Sequence, residues 1–181
     1  LTGYSTKKNY KKLLVAPISL REHLEKLIYR EMEHARGGSK ARLIFKVNSL
    51  VDTEMIQLLY QASQAGVQVD LLVRGMCCLR PGIKGISENI RVVSIVGRYL
   101  EHSRVFYFQN NGSEEVYLGS ADLMPRNLNH RVEVVFPVEN QRHVRLMREK
   151  ILEAYLKDNV RARILQADGT YQRAKAESEE K

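Results

Sequence analysis

Residues 41–73 constrain the fold more than any other part of the chain. Residues 41–47 alternate, with Leu43, Phe45 and Val47 on one face and Arg42, Ile44 and Lys46 on the other, which is the period of a strand. Asp52 can cap a helix that carries Ile56, Leu59 and Ala62 and closes near Gly66. Residues 67–73 form a dense apolar run, read as a second strand. Two strands joined by a crossover helix are the grammar of a parallel sheet covered by helices.

The flanking sequence extends this α/β pattern. Residues 1–12 are polar and basic and read as a linker, and residues 13–16 as a short strand stopped by Pro17. Ser19 with Glu22 three residues on makes a capping-box pattern. Leu20, Leu24, Leu27, Ile28, Met32 and Ala35 follow at helical spacing, ended by Gly37-Gly38. Residues 74–89 hold three glycines and a proline without regular period, a loop where open α/β sheets bind ligands. Strands are predicted at 90–96, 103–109, 115–119, 131–138 and 160–165, with a turn at Asn110-Asn111-Gly112. A helix is predicted at 140–156. The expected organisation is one domain over 13–166, a mixed sheet flanked by helices, then a flexible tail at 167–181.

Charge narrows the partners. The chain carries 29 Lys+Arg against 21 Asp+Glu, a formal net charge of +8, which favours anionic ligands. No apolar run approaches the ~18 residues of a membrane span. Cys77 and Cys78 are adjacent, which does not supply C-x-x-C geometry, so a reducing compartment, the cytoplasm, is expected. Beginning at Leu1 rather than Met, the chain reads as a piece of a longer polypeptide.

The chemistry concentrates between Arg98 and Glu133. His102 and Arg104 share a face on the approach to a strand. Ser120 and Asp122 share a face where the chain leaves the sheet, followed by Arg126 and Asn127, and Arg131 and Glu133 share a face on the next strand. This collects an imidazole, several guanidiniums, a hydroxyl and two carboxylates, the mixture phosphoryl transfer uses. Arginines hold phosphate oxygens, and an imidazole serves as nucleophile, acid or base. Taken singly, each residue also has a plain structural reading: Arg74 a solvated loop arginine, Asp122 a helix cap, Arg131 and Glu133 an exposed ion-pair row.

H-x-R followed by G-S-A-D, with Glu133 further on, resembles a variant of the H-x-K…G-S-x-N pattern of the phospholipase D superfamily, with Arg104 in place of Lys and Asp122 in place of Asn. More closely, L-L-V-R-G-M-C at 71–77, R-Y-L-E-H-S-R at 98–104, G-S-A-D-L-M-P-R-N from 119 and R-V-E at 131–133 resemble the C-terminal domain of bacterial, phosphohistidine-type polyphosphate kinase. The resemblance runs from about residue 13 to about residue 165. It implies a phospholipase-D-like domain that takes part in reversible transfer of the ATP γ-phosphate to inorganic polyphosphate, with Mg²⁺. It implies a phosphohistidine in another, preceding domain, partner domains in the same polypeptide, and oligomers of the full-length protein. Arg74 would contact nucleotide phosphates. His102 would face the phosphohistidine as acid, base or phosphate ligand. Arg104, Arg126 and Arg131 would bind phosphate, supported by Ser120, Asp122, Asn127 and Glu133. No metal ligand, membrane span or specific nucleic acid is expected, and the chain alone is expected to be inactive. The rival readings are a homodimeric phospholipase-D-like phosphodiesterase or nuclease, and a non-catalytic polyanion-binding module.

Overall fold

The computed structural model describes residues 10–174. Their centre is one nine-stranded mixed sheet. Its strands are β1 (Leu14–Ala16), β2 (Arg42–Val47), β3 (Gln68–Val73), β4 (Ile90–Ser94), β5 (Arg104–Phe108), β6 (Glu115–Gly119), β7 (Glu133–Pro137), β8 (Arg163–Leu165) and β9 (Tyr171–Arg173). Their order across the sheet is β1-β7-β6-β5-β2-β3-β4-β8-β9. Only β2–β3 and β3–β4 pair in parallel; the other pairs are antiparallel.

The alternation in β2 divides the core. Leu43, Phe45 and Val47 face a large apolar cluster under α1 (Leu20–Arg36) and α2 (Thr53–Gln64). Ile44 faces a second cluster with Leu72, Val93 and Tyr107. That cluster is covered by one rod: α4 (Gln141–Leu146), a π-helical stretch (Met147–Leu152) and α5 (Glu153–Leu156). Val144, Leu152 and Leu156 supply its buried stripe. A short α3 (Pro125–Asn129), opened by Pro125, sits between β6 and β7.

Several expectations are realised in detail. Asp52 caps α2 by accepting from the Met55 N–H at 3.0 Å, and it is also gripped by Arg21 at 3.1 and 2.5 Å. The 110–112 turn uses positive φ at Asn110, Asn111 and Gly112, the left-handed region these residues tolerate best.

Others are corrected. Ser19 precedes α1, but its hydroxyl makes no cap bond into the helix. Instead it lies 3.4 Å from the Val15 N–H, and Glu22 pairs with Lys26 rather than reaching back. Arg131 lies before β7, in a turn where its N–H donates to the Arg126 carbonyl at 2.7 Å. Residues 171–173 are not tail: they form β9 against β8, with Arg163 opposite Arg173. Residues 1–9 of the expected linker and 175–181 of the expected tail lie outside the described residues. No described helix is long and apolar enough to cross a membrane.

Candidate functional site

The segment just after β2 acts as a plank between two loops. Leu50 donates to the Met76 carbonyl and accepts from Cys78, at 2.8 and 2.9 Å. On its other side Leu123 donates to the Ser49 carbonyl, and Val51 and Asp52 donate to the Leu123 carbonyl. The Arg74 loop and the G-S-A-D loop, distant in sequence, are thereby held on opposite flanks of one strand end. Gly75 makes this possible: its N–H donates to the Asn48 carbonyl at 2.7 Å, and a Cβ there would stand 2.9 Å from that same oxygen.

Asn48, Arg74, His102, Arg104, Ser120, Asp122, Arg126, Asn127, Arg131 and Glu133 line one open cleft of about 470 Å³. All nine residues singled out in the sequence are therefore brought together. Arg74 leaves the end of β3, His102 and Arg104 the start of β5, Ser120 and Asp122 the end of β6, Arg126 and Asn127 sit on α3, Arg131 lies in the turn before β7 and Glu133 opens β7.

Two buried carboxylates organise the cleft. Asp122 accepts from Arg104 through Nη2 at 2.9 Å and Nε at 3.3 Å, and from the Asn48 N–H at 2.7 Å. Burial alone would raise its pKa, but the Arg104 guanidinium and the Asn48 N–H outweigh it and hold the carboxyl below its usual range. Glu133 accepts from Asn127 at 2.6 Å and makes a very short contact with the Ser120 hydroxyl. Asp122 and Glu133 thus stand behind the cationic groups rather than among exposed ones.

Asn48 was missed by sequence reasoning. Its side-chain oxygen accepts from Arg74 at 2.9 and 3.3 Å, so it links Asp122 to Arg74. The available signal was an Asn at the carboxyl end of a predicted parallel strand, where ligand sites form.

Arg104 Nη1 contacts His102 Nδ1 at 3.1 Å and the His102 carbonyl at 2.9 Å. A guanidinium only donates, so Nδ1 accepts and the neutral ring carries its proton on Nε2. Next to His102, Lys46 is only 6% exposed. It donates to the Ser103 hydroxyl and carbonyl at 2.9 and 3.2 Å, pinning the backbone after His102. Burial lowers the Lys46 pKa, more than the nearby Glu101 restores, and Arg74 and Arg104 push the same way. Arg126 and Arg131 are exposed and make no ion pair among the described residues.

The cleft is lined by donor groups suited to an anion. It offers guanidiniums, an imidazole N–H and amides, with both carboxylates already engaged by donors. That donor set does not fit a magnesium ion, and no group of three or more acidic, His or Cys side chains suited to a metal occurs among the described residues. Elsewhere, Cys77 packs against the core, where burial raises its pKa to about 11, and Cys78 is exposed.

The chain is 56% identical over 171 residues to a polyphosphate kinase of Thermosynechococcus vestitus and 58% identical over 171 residues to one of Synechocystis. Each match covers 94% of this chain, which spans 23% of those relatives. Among solved structures, polyphosphate kinase from Porphyromonas gingivalis superposes with a TM-score of 0.92 at 40% identity, over 97% of this chain and 27% of that one. The phospholipase D family member Nuc from Salmonella typhimurium shares the fold alone, with a TM-score of 0.60 at 16% identity over 86% of this chain and 97% of its own. The family profile described as polyphosphate kinase C-terminal domain 2 matches residues 13–181, and the chain belongs to that family.

Proposed function

We propose that this domain forms one wall of the active site of a polyphosphate kinase, which moves the terminal phosphoryl group between ATP and polyphosphate. The observation that carries the reading is the convergence of His102 with Arg74, Arg104, Arg126 and Arg131 in one cleft. A histidine elsewhere in the longer polypeptide attacks the γ-phosphorus of ATP. An N–P bond forms, the bond to the bridging oxygen breaks, and ADP leaves with that electron pair. A terminal oxygen of polyphosphate then attacks the phosphorus, and the N–P bond returns its electrons to the ring.

In both steps negative charge is spread over the transferring oxygens. Arginines set in place beforehand stabilise it without reorganising. Arg74 and Arg104 are held by Asn48 and Asp122, so their donors point before substrate arrives. His102, with Nε2 as its donor, binds the transferring phosphoryl from this wall.

The test uses the longer parent and this chain side by side. The parent makes polyphosphate from ATP, and His102→Ala in it abolishes synthesis while the fold persists. The 181-residue chain alone binds tripolyphosphate without making polymer. Robust synthesis by the chain alone, or an active and folded His102→Ala parent, would overturn the reading.

A further inference from the structure

A second cationic cleft opens on the same edge of the sheet. Ser94, Val96, Val160, Arg161, Arg163 and Arg173 line a space of about 460 Å³. The strand register puts Ser94 opposite Arg163 and Arg163 opposite Arg173, so the two arginines stand side by side on adjacent strands. Like charges directly opposite in an antiparallel pair repel. Nothing described relieves that repulsion: all three arginines are exposed, and none makes an ion pair or side-chain hydrogen bond among the described residues. By contrast Arg21, Arg30, Arg42, Arg104 and Arg148 are each ion-paired. The Asp158 carboxylate is occupied by the N–H groups of Val160 and Arg161 at 2.8 and 2.7 Å, although Arg161 lies close enough to help lower its pKa.

The placement relative to the first cleft is set by strand direction. β8 runs antiparallel to β4 and β9 antiparallel to β8. The start of β8 and the end of β9 therefore lie at the edge where Arg74 leaves β3 and where residues 95–103 lead to His102. β8 stands two strand positions from β3, about 10 Å at the usual strand spacing.

We infer that Arg161, Arg163 and Arg173 form a distal subsite for a chain of phosphates whose end lies in the His102 cleft. The inference rests on the function proposed above. An anionic oxygen between Arg163 and Arg173 converts their repulsion into paired charge-assisted hydrogen bonds. The cleft lining has no aromatic ring on which a base would stack, which separates it from a nucleic-acid groove.

The test is binding of two probes to the 181-residue chain: tripolyphosphate, which fills the His102 cleft only, and a long-chain polyphosphate. Removing both arginines, Arg163→Ala with Arg173→Ala, weakens the long chain about tenfold and tripolyphosphate by less than about twofold. The charge-matched control, Arg142→Ala with Arg145→Ala on α4, changes neither by more than about twofold. The lysine pair, Arg163→Lys with Arg173→Lys, keeps the charge and falls between. Unchanged thermal midpoints show that the variants fold.

Equal losses for both probes, or no loss for the long chain, would overturn the subsite. So would single-stranded DNA losing as much affinity as polyphosphate in the alanine pair. Failure of the unaltered chain to bind either probe would sink the proposed function together with the subsite, whereas tight binding indifferent to Arg163 and Arg173 sinks the subsite alone.

Discussion

The backbone N–H of Asn48 donates to the Asp122 carboxylate at 2.7 Å, between residues 74 positions apart in the chain. The same carboxylate takes two bonds from Arg104, and the Asn48 side chain takes two from Arg74. One acidic group thus fixes the direction of two guanidiniums. Truncating it strands Arg104 in a half-closed site. Asp122→Ala is expected to lower unfolding free energy by about 3–5 kcal/mol, the range for breaking a buried pair from one side. Asp122→Asn keeps an acceptor for the Asn48 N–H and is expected to cost about 1–3 kcal/mol. Denaturant unfolding of the chain measures both, and equal stability of all three proteins would contradict this account.

The same carboxylate predicts an acid dependence. Its folded pKa is depressed, so the unfolded chain binds the extra proton first as pH falls. The stability it contributes is complete above the unfolded carboxyl value of about 4 and is lost as pH drops through the folded value. The thermal midpoint should therefore fall more steeply with acid below about pH 4 in the native sequence than in Asp122→Asn. Parallel curves would remove Asp122 as a source.

Much of this was legible in the sequence because period and motif spacing are local signals. The alternation at 42–47 and the Asp52 cap identified β2, α2 and the parallel pairing with β3. Seven of the nine site residues lie at or beside strand ends, which converge in one sheet, and Arg126 and Asn127 follow on α3. What escaped was decided by which partner a group finds in the fold, near or far in sequence. Asn48 acquires its role only when the Arg74 loop and the G-S-A-D loop dock on either side of it. Ser19 fits the capping-box pattern, yet its hydroxyl turns toward the Val15 N–H, a competition that spacing does not reveal. The 171–173 strand is three exposed residues with no apolar alternation, paired only because β8 offers an edge.

Gly119 marks a close approach that the G-S-A-D motif depends on. A Cβ there would stand 2.4 Å from the Val134 carbonyl and 2.5 Å from the Val135 side chain. Both atoms belong to β7, and the obstructing backbone has no free rotamer to yield. Gly119→Ala must push β6 and β7 apart beside Ser120 and Glu133. An overpacking loss of about 1–3 kcal/mol or more is expected in denaturant unfolding. Tripolyphosphate affinity should fall with it. A variant with unchanged stability and binding would show that the strands part without effect.

The role of His102 separates from that of its neighbours by protein stability. Its side chain is exposed and contacts Arg104 through one nitrogen, so its removal leaves packing intact. His102→Ala should therefore unfold within about 0.5 kcal/mol of the native sequence, as ordinary exposed substitutions do. On the proposed function, the same change in the longer parent removes a donor at the transferring phosphoryl, and synthesis should fall by a factor of about 100 or more. His102→Gln restores a neutral donor of similar reach without a titrating ring. If the ring serves only as a hydrogen-bond donor, His102→Gln recovers part of the rate with a flat pH profile on that side. If it moves a proton, His102→Gln is as inactive as His102→Ala. Synthesis in the parent, followed against pH for the three proteins, distinguishes the two roles, and full activity in His102→Ala would exclude both.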